Sequence, residues 1–200
     1  MRRAAAPPLA ALTPGAPSEM NAVVSPPRAV PAVDPVVRLQ PERVEDAARV
    51  DALIAQAFGP GRFAKTAERL RETSAQRMDL SICAWSGEDL VGAVRMWSIR
   101  IGDASALFLG PIEVRPDHRR RGLAAALTEQ ACEAGRLTGE RIVLLVGDSW
   151  IFGSHGFEPT PQGRVTLPGP VDTRRVLWRE LVPGALEGVG GLVTGVRPRV

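Results

Sequence analysis

The stretch Leu109-Gly110-Pro111-Ile112-Glu113-Val114-Arg115-Pro116-Asp117-His118-Arg119-Arg120-Arg121-Gly122-Leu123-Ala124-Ala125 decides the fold. It opens inside an apolar, strand-like run that begins at Ala106 and ends at Val114. Proline has no N–H to give a ladder, so Gly110-Pro111 within the run marks a bulge or edge, or a plain strand end. A bulge would make the strand splay from a neighbour partway along. Arg115-Pro116-Asp117 then turns the chain. Beyond it Leu123, Leu127, Ala131, Ala134 and Leu137 recur at helical spacing, with Gly139 placed to cap the helix end.

The junction between that strand and helix carries the chemistry. A helix N-terminus leaves several N–H groups without intrahelical partners and carries roughly half a positive charge. The small residues Gly122 and Ala124 let a diphosphate approach this backbone, and Arg119, Arg120 and Arg121 add counter-charge. Taken alone, R-x-x-G-x-A is also a tight turn with a solvated arginine run.

Upstream, Val36 to Leu39 reads as a short strand. The spacing of Val44, Ala47, Val50, Leu53, Ile54 and Phe58 then predicts a helix from 41 to 58, with Pro41 in its first turn and Gly59-Pro60-Gly61 ending it. A charge-rich helix follows over 64–77. Strands at 80–85 and 90–98 form a hairpin through Ser86-Gly87-Glu88-Asp89. Downstream, the continuous apolar run Ile142 to Val146 is a strand buried on both faces. A helical turn at 149–153 and strands near 164–167 and 175–182 complete a mixed α/β sheet.

Residues 1–35 stand apart. Eight of the 18 prolines fall there, which denies the segment helix and ladder, so it is expected to be a disordered tail; Met20 is an alternative start. The domain is expected over 36–184, with 185–200 as a C-terminal extension.

Composition excludes several classes. No run approaches the ~18 apolar residues of a membrane span. Cys83 and Cys132 share no ligand-like spacing, so neither a zinc site nor a disulfide framework is expected; two free thiols fit a reducing, cytoplasmic setting. The net charge is only +3, and 24 of the 25 basic residues are arginines spread along the chain. No aromatic-interleaved basic patch points to nucleic acid.

From the first strand to Gly156-Phe157 and beyond, the order of elements resembles the GNAT N-acetyltransferase superfamily. So do 109–116 with R-x-x-G-x-A, and the whole covers about residues 36–184. Ala57-Phe58-Gly59-Pro60, Leu144-Leu145-Val146-Gly147-Asp148 and Leu167-Pro168-Gly169-Pro170 resemble its YhbS-like branch. The resemblance implies a mixed, mostly antiparallel sheet of about seven strands with a splayed central pair and about four helices. It implies acetyl-CoA as co-substrate and no metal. Backbone groups of Ile112, Glu113 and Val114 would pair with the pantetheine arm. The N–H groups from Arg119 through Arg120, Arg121, Gly122, Leu123 and Ala124 to Ala125 would hold the pyrophosphate. The acceptor would be a primary amine of a small molecule or protein, attacked directly in a ternary complex; a homodimer is left open.

One departure stands out. The family commonly has a tyrosine, which protonates the departing thiolate, five residues before the phenylalanine of Gly-Phe. Here that position is Phe152, and the chain has no tyrosine. Losing a general acid costs ~10²–10⁴-fold, so a slower enzyme is expected, and an acyl-CoA-binding module or sensor of the same fold is the alternative. For the base, Glu113, Asp103, Asp148, His118 and His155 are candidates. Glu113, on the cofactor strand, is the catalytic candidate carried forward, although a solvated strand carboxylate is the plainer reading. His118 reads as a turn residue and His155 as packing beside Phe157. Trp85 and Trp97 read as core.

Overall fold

Continuous burial along the central strands builds one sheet covered on both faces. The computed structural model describes residues 36–197; the expected tail and Met20 lie outside them. In chain order the elements are β1 (Val37–Pro41), α1 (Ala47–Phe58), α2 (Thr66–Glu72), β2 (Ile82–Ser86), β3 (Asp89–Ile101), β4 (Ala104–Val114), α3 (Leu123–Leu137), β5 (Ile142–Val146), α4 (Ser149–Phe152), β6 (Glu158–Pro159), β7 (Val165–Thr166), β8 (Val176–Glu180) and β9 (Gly191–Gly195). The main path runs β1-β2-β3-β4-β5-β8-β6. Every neighbouring pair on it is antiparallel except β4–β5, which is parallel. The expected mixed, mostly antiparallel sheet and four helices are therefore present, although β6 was not expected and the strand expected near 164–167 is β7, off this path. Two more strands join it: β9 pairs with the end of β3 and with β7.

Leu107, Leu109, Val143 and Leu145 face one side, where Leu123, Leu127 and Ala131 of α3 close the core. Their neighbours Ala106, Phe108, Ile142 and Leu144 face the other side, with Leu70 of α2 and Trp178. Val50, Leu53 and Ile54 of α1 cover Cys83, Trp85 and Ala93 on that second face. Both faces of β4 and β5 are thus dry, which is why these strands are apolar throughout rather than alternating. Each fully buried aliphatic side chain contributes about 1.5–3 kcal/mol, so this sandwich outweighs the surface ion pairs in holding α3 against the sheet.

Several boundaries differ from expectation. Pro41 ends β1 instead of starting a helix; residues 44–46 form a 3-10 turn, and Val44 is 79% exposed. The interior position belongs to Glu42, only 4% exposed, which takes Arg95 in a two-oxygen pairing completed by Asp51 at 2.6 Å. The second helix stops at Glu72 rather than 77. Beyond it the chain pairs with the strands: the Ala75 N–H donates to Val196 O (2.6 Å), and the Ser98 N–H donates to Ala75 O (2.9 Å). Leu137, expected on the buried stripe, overhangs in the last turn, 71% exposed. Among the described residues, part of the expected C-terminal extension packs on the sheet: β9 lies within it. Val193 on β9 is fully buried in the second core cluster with Ala185, and the Gly102 N–H donates to Leu192 O at 2.9 Å.

The bulge at Gly110-Pro111 is present. Val94 pairs with Ile112 and Met96 with Leu109, so both residues stand opposite Arg95 alone. Trp97 fixes the bulge by donating its indole N–H to Gly110 O at 2.6 Å. On its other edge β4 pairs with β5 only at Leu107 and Phe108. Past Phe108 the two strands separate, which is the expected splay.

Candidate functional site

Among the described residues, that separation leaves one edge of β4 beyond Phe108 without a strand neighbour. The Arg115 N–H donates to Val91 O on β3 (2.9 Å), and the register from Ile112 to Val114 has no further shift. Because ladder groups alternate, Glu113 also points its backbone at β3, while Ile112 and Val114 point theirs into the gap. Of the three residues expected to meet a pantetheine arm, two therefore offer free-edge backbone groups. Val114 O already accepts Arg119 Nε at 2.8 Å, leaving the Val114 N–H and both groups of Ile112.

The gap leads to the N-terminus of α3. Its N-cap, Gly122, has φ 73° and no side chain to cap the first turn, which also contains no acid. Arg120 stands at φ 61°, in the left-handed region that few side chains adopt, so 119–122 curls its backbone around the helix start. A Cβ placed on Gly122 would meet nothing within 4 Å. Arg119, Arg120, Arg121, Gly122 and Ala124 are exposed, Ala125 is half-buried, and Leu123 anchors the helix in the core. This open, uncapped, basic cradle fits a diphosphate.

On the other side the gap opens into a cleft of about 580 Å³. Gly110 to Ile112 and Leu145 to Asp148 form its floor, Ile54 and Phe58 of α1 and residues 64–68 one wall, and 170–175 the opposite wall. Thr66 joins the walls by donating its hydroxyl to Pro170 O at 2.5 Å. Glu68 and Arg71 form an ion pair in the cleft, with the Arg71 guanidinium 5.8 Å from the Phe108 ring centre. Asp148 pairs with Arg175 at 2.9 Å. The Arg174 guanidinium beside Asp172 holds that carboxyl below the usual range, so Asp172 is a poor proton acceptor.

Phe152 lines the cleft and is 8% exposed. Its ring lies against Gly147: a Cβ there would come within 2.5 Å of Phe152 Cε2. Phe157 meets it edge-on at 6.0 Å. Of the five base candidates only Asp148 borders the cleft. Glu113 shares the α1 face with its partner Ala93, and its carboxylate is held by Arg119 at 2.6 Å, outside the cleft lining. Asp103 sits in the far hairpin turn and His118 in a 3-10 turn beside Asp117. His155 bonds Glu129 through Nδ1 at 3.0 Å, while Phe157 lies under Arg179. Trp85 is core; Trp97 is the half-buried support of the bulge.

The GNAT acetyltransferase family model matches residues 48–157, more than half of the chain and the whole of the gap and cradle. The chain belongs to the GNAT family. It is 28% identical over 150 residues to the uncharacterized N-acetyltransferase YhbS of Escherichia coli K12, covering 74% of this chain and 89% of that protein. An uncharacterized N-acetyltransferase of Streptomyces avermitilis is 33% identical over 132 residues, 63% of this chain; the match spans only 31% of that relative's length. The crystal structure of E. coli YhbS in complex with CoA superposes with a TM-score of 0.69 at 24% identity, covering 84% of this chain and 93% of that one. This GNAT member thus shares its fold with a CoA-bound relative. Among the described residues no group of His, Cys, Asp and Glu is placed to hold a metal, and no helix is long and apolar enough to cross a membrane.

The walls of the cleft were missed as particular residues. Lys65, Glu68, Arg71 and Arg175 come from a short helix and a loop, where no periodicity announces which side chain turns inward.

Proposed function

We propose that this chain binds acetyl-CoA across the β4–β5 gap and transfers the acetyl group to a primary amine entering the cleft. The observation that carries the reading is the continuity of three features: the free edge at Ile112 and Val114, the uncapped cradle at 119–125, and the cleft that meets them. The cradle holds the diphosphate by backbone N–H groups and arginine charge. An N–H on the free edge polarises the thioester carbonyl, and this is worth most where water is excluded. The amine attacks directly, since Cys83 and Cys132 are buried and their thiols are pushed up to about 12 by burial. Asp148 is the carboxylate placed to take the amine's proton, directly or through a water. The acceptor is a small-molecule or protein amine, and the setting cytoplasmic.

Phe152 supports a second reading. It fills the place of the family's thiolate-protonating tyrosine with a ring that has no proton to give, so an acyl-CoA-binding module of the same fold is the rival. Thiol release from acetyl-CoA, trapped colorimetrically across a panel of amines, separates the two. Amine-dependent release supports transfer; CoA binding with no release for any amine supports the module.

A further inference from the structure

Lys65 is the only lysine in the chain, and the other 24 basic residues are arginines. A guanidinium stays protonated in proteins and is no nucleophile at neutral pH. The chain therefore contains one side-chain primary amine, and it lies at the cleft. Lys65 precedes α2 in extended conformation and borders the same cavity as Leu109 to Ile112 and Phe152. The other charges of that cavity are engaged: Glu68 with Arg71, Asp148 with Arg175, Asp172 with Arg174. Among the described residues nothing holds the Lys65 ammonium in an ion pair or hydrogen bond, so it is free to swing toward the gap.

We propose that Lys65 is a self-acetylation site, modified by acetyl-CoA held in the chain's own gap. The inference rests on the acetyl-CoA reading above. The Lys65 Nζ, after losing a proton to solvent, attacks the thioester carbonyl carbon. The N–C bond forms, the C–S bond breaks with its electron pair leaving on sulfur, and the second nitrogen proton passes through solvent to the thiolate. The products are Nε-acetyl-lysine and CoA, with no further reactant. Because donor and acceptor are held in one cavity, the step is unimolecular within the complex, where positioning replaces collision. Acetylation would also remove the unpaired cation at the cleft wall, so the modified chain would present a neutral mouth to its acceptor.

The test incubates the full chain with acetyl-CoA and follows Lys65 acetylation by peptide mass spectrometry. The controls are the urea-unfolded chain and the folded Gly122→Glu variant, whose cradle is blocked. Expected is modification of Lys65 at least about tenfold faster in the native chain than in either control. The rate constant should not depend on protein concentration, and excess CoA should suppress it. A native rate equal to that of the unfolded chain, or one that rises with protein concentration, overturns the proposal. A CoA-induced rise in melting temperature is measured on the same sample. If CoA stabilises the chain but Lys65 reacts no faster than when unfolded, only the self-acetylation inference fails. If CoA has no effect on melting, the cofactor reading fails with it.

Discussion

Phe152 is the residue on which the two proposed readings, transferase and binding module, divide. Phe152→Tyr adds one hydroxyl to a ring that already lies against Gly147 and borders the cleft. If thiolate departure limits turnover, the variant is faster, most clearly below pH ~8, where protonating the sulfur helps most. Its CoA affinity stays near the parent's, because the ring remains. A hydroxyl left without a partner in a dry pocket costs ~1–3 kcal/mol, so melting temperature is measured beside kcat. An active parent slowed by the tyrosine would mean the site is built around the phenylalanine. The two cysteines give a second test at this scale. Burial pushes both thiols up to about 12, above the ordinary ~8.5 of an exposed thiol. With the folded value raised, their stabilisation is intact below the unfolded value and is lost as pH climbs toward the folded one. Melting temperature should fall between pH ~9 and 12, and Cys132→Ala should flatten that fall. A thiol reagent at pH 8 should label neither cysteine until the chain unfolds, which leaves the thiol-trap assay free of protein background.

At the scale of elements, what was legible depended on how much of the signal is local. The run Ile142 to Val146 appears as β5 with the expected ends, because a strand covered on both faces is apolar at every position. α3 and the bulged β4 were equally legible, since Gly110-Pro111 and R-x-x-G-x-A each have a backbone cause. The start of α1 was not: Glu42 is buried for the sake of Arg95, 53 residues away, and no local pattern records such a pairing. β9, Gly191–Gly195, has two glycines, and of its three side chains only Val193 is buried; its strand state comes from pairing with β3 and β7. The site divides in the same way. The backbone geometry of its proposed part, the bulged β4 edge and the glycine-capped start of α3, was readable, while the cleft wall had to await the fold. Truncation after residue 184 should therefore lower the melting temperature by several degrees, because it strips buried Val193 and the β9 ladder from the edge of the core. An unchanged melt would show that β9 contributes nothing to stability. Gly122→Glu, by contrast, should leave the melt of the free chain nearly intact, costing about 1 kcal/mol for the left-handed φ. It should abolish CoA binding in titration calorimetry, because a carboxylate would sit where the diphosphate meets backbone.

For the whole molecule, the consequence of the splay is a sheet divided into halves. Among the described residues, β1 to β4 and β5 with β8 and β6 share a ladder only at Leu107 and Phe108, and α3 spans the division on one face. On the other face the walls from α1–α2 and 170–175 meet through Thr66 and Pro170. On the proposed reading, a ligand lying in the gap would complete hydrogen bonds on the β4 edge and neutralise the cradle, acting as a missing strand between the halves. Because those groups converge only in the native chain, binding is linked to folding by mass action. At a CoA concentration 100 times Kd the native state gains ~2.7 kcal/mol. For a domain of this size each kcal/mol raises the melting temperature by roughly 2–4 °C. Differential scanning fluorimetry should thus show a rise of about 5–10 °C with CoA or acetyl-CoA. Adenosine monophosphate, which lacks the pantetheine arm, should give far less, and Gly122→Glu should give none with CoA. A full shift with adenosine monophosphate would place the affinity in the nucleotide and remove the free β4 edge from the account. A full shift that survives Gly122→Glu would move the diphosphate away from α3.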